Sequence, residues 1–247
     1  MIIWVIIALA LILIGTITLI NARALRWISS LIVAGLLLLA VGAVSANMSS
    51  HWGMRVETIT HTKRIYSAGS KQSPVNLLIT KQVGTNSGRY VMMYKTHAAD
   101  AKAAAHFVPD TDDTVNAVKQ KATYRRRNVK QATVTTTTKK WVWQSKAAQF
   151  WLQVGDSHNQ LISRRSVVTV PRETWLVLTT SQAKRLGAVQ AKMTTNQAQT
   201  AQLKVVIGQK VAQYQQQHPT ASQRQIEQYT NQQTAKVTIQ QLKKLLD

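Results

Sequence analysis

The sequence predicts an α+β fold carried on a transmembrane helix hairpin, and three observations predict it. Two uncharged apolar runs open the chain. β-Branched and aromatic segments separated by turn residues follow, to about residue 180. A Gln- and Ala-rich stretch with helical spacing closes it. These give three expected parts: a hairpin over 1–46, a small largely antiparallel β domain over 47–180, and a helical C-terminal extension over 181–247.

The hairpin comes first. "IIWVIIALALILIGTITLI" (2–20) and "ISSLIVAGLLLLAVGAVSA" (28–46) are each 19 residues long and carry no charge. At about 1.5 Å per residue each spans roughly 28 Å, near the thickness of a hydrocarbon core. The link "NARALRW" is too short for anything but an antiparallel return. It holds Arg23 and Arg26 and no acid. The positive-inside rule then puts the link in the cytoplasm and the rest of the chain outside. Arg55, Lys63 and Arg64 pull against that orientation, but long domains are largely exempt from the rule. Ala34, Gly35, Gly42, Ala43 and Ala46 suit close packing of the second helix. A competing reading takes 28–46 as a signal sequence cleaved after "VSA". Trp4, Trp27 and Trp52 fall near helix ends, where amphipathic rings favour the membrane interface.

The middle part reads as strands. "VETITHTKRIYS", "PVNLLITKQ", "RYVMMYK", "ATVTTTT", "KKWVWQSK", "AQFWLQVG", "LISRRSVVTV" and "TWLVLTT" are the candidates, and "VGTNSG" makes the second and third a hairpin. Trp141 and Trp143 share one face, a strand period apart. "ADAKAAAHF" reads as a short helix stopped before Pro109. Beyond residue 181, apolar residues near helical spacing predict one helix up to Pro219, while the competing reading of so many glutamines is a partly disordered tail. A capping box at Thr220–Gln223 then starts a second.

Chemistry is sparse. The chain has no cysteine, which excludes disulfides and thiolate metal sites. The six histidines show no metal-ligand spacing, and Asp110, Asp112 and Asp113 lack the glycine and closing Glu of a calcium loop. "GDSHN" reads as a turn and not a triad. No phosphate loop or dinucleotide fingerprint occurs. No catalytic, cofactor or metal residue is therefore assigned, and an enzyme is the secondary reading.

Charge is the informative feature. The link takes two of the 31 basic residues; the rest of the chain carries 29 against all nine acids, a net of +20. Such a surface attracts polyanions. Arg125, Arg126, Arg127, Lys130, Lys139 and Lys140 are the binding candidates. Outside a membrane the available partners are anionic lipid and envelope polymers such as teichoic acid. Nucleic acid fits only if the tail is cytoplasmic, and a wall-polymer hydrolase is the enzymatic alternative.

"RALRW" (23–27) and "HWGM" (51–54) carry a resemblance. The chain resembles a family of small two-helix membrane proteins from Gram-positive, lactic-acid-type bacteria, grouped around a domain of unknown function. The likeness covers roughly residues 1–180. It implies an integral membrane protein without known catalytic residues, and an accessory role beside a membrane transporter of the drug-exporter type.

Overall fold

A computed structural model describes residues 1–70, 73–154, 159–195 and 197–246. The chain forms two compact units, one of Met1–Ile59 with Thr138–Arg164, the other of Thr60–Thr137 with Arg165–Asp247. The architecture is α+β, with two N-terminal apolar helices, two four-stranded sheets and C-terminal helices.

In the first unit, α1 (Ile2–Leu19) and α2 (Arg23–Ser50) form the hairpin. α2 takes in most of the predicted link, so only residues 20–22 separate the helices. It also runs four residues past Ala46, and the Ala46–Asn47 bond lies inside it. Thr16 and Ser30 hydrogen-bond across the hairpin at 3.1 Å near the link. At the open end Ile2 and Ile6 meet Ala40, Ala43 and Val44. Of the small residues in α2, Ala43 therefore serves the contact with α1. Gly35 and Gly42 do not: a side chain at either would meet nothing within 4 Å. Large apolar side chains elsewhere on both helices are exposed. Both helices are long and apolar enough to cross a membrane.

The first sheet has the order β1 (Met54–Arg64), β6 (Thr133–Trp143), β7 (Leu161–Pro171), β5 (Gln120–Arg127). The two predicted segments "ATVTTTT" and "KKWVWQSK" are one strand, β6. "AQFWLQVG" is not a strand but a helix, α4 (Lys146–Leu152). Ser145 Oγ accepts the Ala148 N–H at 3.0 Å and caps it. That N-cap outweighs the aromatic content that suggested a strand.

The second sheet has the order β4 (Ala104–His106), β3 (Tyr90–Tyr94), β2 (Asn76–Gln82), β8 (Trp175–Thr179). The β2–β3 pair is antiparallel, as the turn cluster predicts, and β2 pairs β8 in parallel. "ADAKAAAHF" forms no helix. Its residues Ala104–His106 add an antiparallel strand to β3, and the His106 ring stacks on Tyr94 at 3.9 Å. An edge partner and a ring stack override the helix preference of its five alanines. A short helix, α3 (Thr114–Val118), lies between β4 and β5.

The second unit is layered. Ala122, Val134, Val168 and Val170 of the first sheet pack with Leu78, Met92, Tyr94 and Trp175 of the second. The opposite face of the second sheet presents Leu77, Leu176 and Leu178 to α5 (Thr180–Thr195) and α7 (Gln223–Leu246), where Leu186, Ile239, Leu242 and Leu246 complete another core. With both faces buried, β2 and β8 read as unbroken apolar runs ("VNLLI", "TWLVL"). The segment predicted as one helix is two, α5 and α6 (Gln197–Gln217). The box that starts α7 is Ser222–Gln225, two residues later than predicted. Ser222 Oγ accepts the Gln225 N–H while Gln225 Oε1 accepts the Ser222 N–H at 2.8 Å. A similar reciprocal pair, Thr179 with Gln182, opens α5.

Candidate functional site

Two constructions stand out, one in each unit. In the first unit the "HWGM" stretch turns α2 into β1. His51 adopts the left-handed conformation (φ 56°) and its N–H bonds the Asn47 carbonyl at 2.9 Å, closing the helix. Asn47 is buried in the last turns, and its Nδ2 donates to the Trp52 carbonyl at 2.7 Å. The His51 ring stacks on Trp141 at 4.3 Å, with planes 13° apart. Gly53 has φ +85°, and a Cβ there would lie 2.9 Å from Leu152 Cδ1. The Gly53 carbonyl accepts the Gln144 N–H, and Gln144 Nε2 donates to the Met54 carbonyl. Met54, Ile2, Trp143 and Leu152 then close a small apolar core. "HWGM" is therefore a geometric joint. His51 caps a helix and covers an indole, a role the sequence did not disclose because Trp141 lies 90 residues away.

Trp4, Trp27 and Trp52 are exposed by 71 %, 72 % and 57 %. Trp4 and Trp52 belong to the open end of the hairpin and Trp27 to the link end. Arg23 and Arg26 lie in the first turn of α2.

In the second unit, the outer face of the first sheet is polar. Thr60 bonds Thr137 at 3.3 Å and Thr62 bonds Thr135 at 3.1 Å, side chain to side chain. Strand alternation puts Arg165 and Thr169 on that same face of β7, because Thr136 and Ser166 bond each other at 2.9 Å on the other. Arg125 Nε donates to Thr169 Oγ1 at 2.9 Å, which brings Arg125, and with it Arg127, to this side of β5. Arg125, Arg127 and Arg165 are exposed. No Asp or Glu occurs in the second-unit portions of these four strands. The result is an open field of guanidinium and hydroxyl groups with no acid on the strands that carry it.

The six predicted basic candidates do not act alike. Arg126 points the other way, donating to the Arg172 carbonyl at 3.1 Å, and its Nε is buried without a partner. Lys130 is exposed in the turn between β5 and β6, and Lys139 is exposed on β6. Lys140 is paired with Glu57 at 3.1 Å and also reaches Asn159. Arg165, which the sequence did not single out, joins the field because it alternates with buried Ser166.

Several acidic residues serve structure. Asp110 accepts the N–H groups of Asp112 and Asp113, and Asp113 caps α3 through the Asn116 N–H at 3.0 Å. That bond, with the Asn116 side chain, holds the Asp113 carboxyl below its usual range. The Lys236 hydrogen bond at 2.8 Å does the same for Glu173, with Gln232 adding a second, and this ties α7 to the turn before β8. Among the described residues no three His, Asp or Glu side chains gather as a metal site. Residues 155–158 of "GDSHN" lie outside the described residues.

Fold and sites together define a class: an α+β protein headed by two helices long and apolar enough to cross a membrane. The chain belongs to the DUF4811 family, a domain of unknown function whose family model matches residues 22–186. "RALRW" and "HWGM" both lie inside that match. No curated protein and no solved structure matches the chain. The match ends at Leu186, yet the core against the second sheet also needs Ile239, Leu242 and Leu246.

Proposed function

We propose that this protein is a non-enzymatic, membrane-anchored binding subunit that holds an anionic envelope polymer, with the bulk of the chain outside the cytoplasm. The hairpin is its anchor and the positive link its cytoplasmic end. The observation that carries the reading is the acid-free face of Arg125, Arg127 and Arg165 among rows of threonine hydroxyls. Guanidinium groups recognise phosphate by charge-assisted, often bidentate hydrogen bonds, and hydroxyls donate to the remaining oxygens. A regular strand spacing suits a polymer with repeating phosphates, such as a teichoic acid, better than a single small anion. The accessory role beside a transporter would use the flank of α2 that carries Gly35 and Gly42.

The test uses the full chain in nanodiscs of neutral lipid and soluble poly(glycerol phosphate). Binding should weaken as salt rises. The combined Arg125→Ala, Arg127→Ala and Arg165→Ala variant should bind roughly tenfold more weakly or worse, with a shallower salt dependence, since fewer counterions are released. An unchanged affinity and slope would remove this face from the function.

A further inference from the structure

We propose that α4 is a third membrane contact, a foot that rests in the lipid leaflet on the side where α1 begins and α2 ends. The inference rests on the reading of α1 and α2 as spanning helices. Within the first unit α4 is apolar on two sides. Ala148 and Leu152, one turn apart, face the small core with Ile2 and Met54. Phe150 and Trp151 face outward, exposed by 56 % and 50 %, and meet edge to face at 5.5 Å. A water-facing helix has no reason to show two large aromatic side chains beside each other. At a bilayer interface such rings are favoured.

The level of α4 is fixed by its neighbours. The Met1 nitrogen donates to the Phe150 carbonyl at 3.0 Å, so the end of α4 lies beside the first turn of α1. That turn carries exposed Trp4 and begins the apolar run. A groove of about 520 Å³ opens between α4 and the end of α2, walled by Trp52 and Trp151 and floored by Ile2, Ala43 and Leu152. Ile2 and Ala43 bring the two hairpin helices into its lining. Its occupant is the upper acyl chain of a phospholipid in that leaflet, with Lys146, exposed at the start of α4, at the depth of the phosphates.

The chain has no cysteine, so single-cysteine variants are clean probes. Trp151→Cys, Trp4→Cys and Lys139→Cys are each labelled with an environment-sensitive fluorophore. Each is reconstituted in phosphatidylcholine–phosphatidylglycerol vesicles containing shallow spin-labelled lipid. The foot predicts strong quenching and a blue shift at positions 4 and 151 and a water-like signal at 139. Quenching at 4 with a water-like signal at 151 overturns the foot and leaves the hairpin in the membrane. Water-like signals at both 4 and 151 overturn the membrane reading and the foot with it. Ala147→Cys, a smaller change on the same groove, replaces Trp151→Cys if that variant does not fold.

Discussion

Gly53 is the residue whose environment is most tightly specified. A side chain there meets a positive φ and a close neighbour at once. Gly53→Ala should destabilise the protein by about 1–3 kcal/mol, read as a lowered Tm of the full chain in detergent. An unchanged Tm would mean that the joint is not rigid. Tyr94 supplies a pH signature. It is buried between the sheets, and burial pushes its phenol from 10 to about 12. The folded value lies above the unfolded one, so the protonated form stabilises the fold fully below pH 10. That contribution is lost as pH rises through 12. The loss is on the order of 2 kcal/mol, and Tyr94→Phe should flatten alkaline unfolding between those limits. At this scale the sequence disclosed little. A left-handed His51 and its Trp141 partner are products of long-range packing, and no local pattern marks them. The glycine could be read as a turn, but not as a contact with Leu152.

Most elements were legible, because alternation and turn residues announce strands wherever one face is buried. The misreadings were α4, β4, the break between α5 and α6 and the splitting of β6, and α3 and β5 were not foreseen. In the first two a cap or an edge partner outweighed composition. α7 shows the reverse: a Gln-rich segment with few apolar residues that is nonetheless anchored, because three of them fall on one contact with the second sheet. Leu242 is 1 % exposed. Leu242→Ala should cost about 2–5 kcal/mol, measured by denaturant unfolding of the full chain. Hydrogen exchange should quicken across α7 and β8 together, and a response confined to α7 would refute the shared core. Loss of the Glu173–Lys236 pair should matter far less, because both groups are partly exposed.

The whole molecule is organised by where charge is allowed. The hairpin carries Arg23 and Arg26 at one end, and the remaining basic residues all follow the other. With Ser70→Cys as the single thiol, an impermeant maleimide should label intact cells as fully as lysed ones. Labelling only after lysis would place the tail in the cytoplasm and turn its charge toward nucleic acid. The net charge and the two long apolar helices were plain in the sequence. The basic face was not, since Arg165 and Arg125 share a face only through the strand order β6-β7-β5, and Arg126, next to Arg125 in sequence, is turned away.

The late position of α7 also bears on biogenesis. The hairpin precedes the sheet in the chain, and Leu77, Leu176 and Leu178, covered in part by α5, are fully covered only once Ile239, Leu242 and Leu246 of α7 are in place. At typical synthesis rates the sixty residues after Leu186, through Leu246, take roughly 3–12 s. With the hairpin as the proposed anchor, the nascent chain would be held at the bilayer while its sheet is still partly open on one side. Tethering keeps such chains apart during the interval in which a free one would aggregate. A recombinant version that stops where the family match stops would never leave that interval.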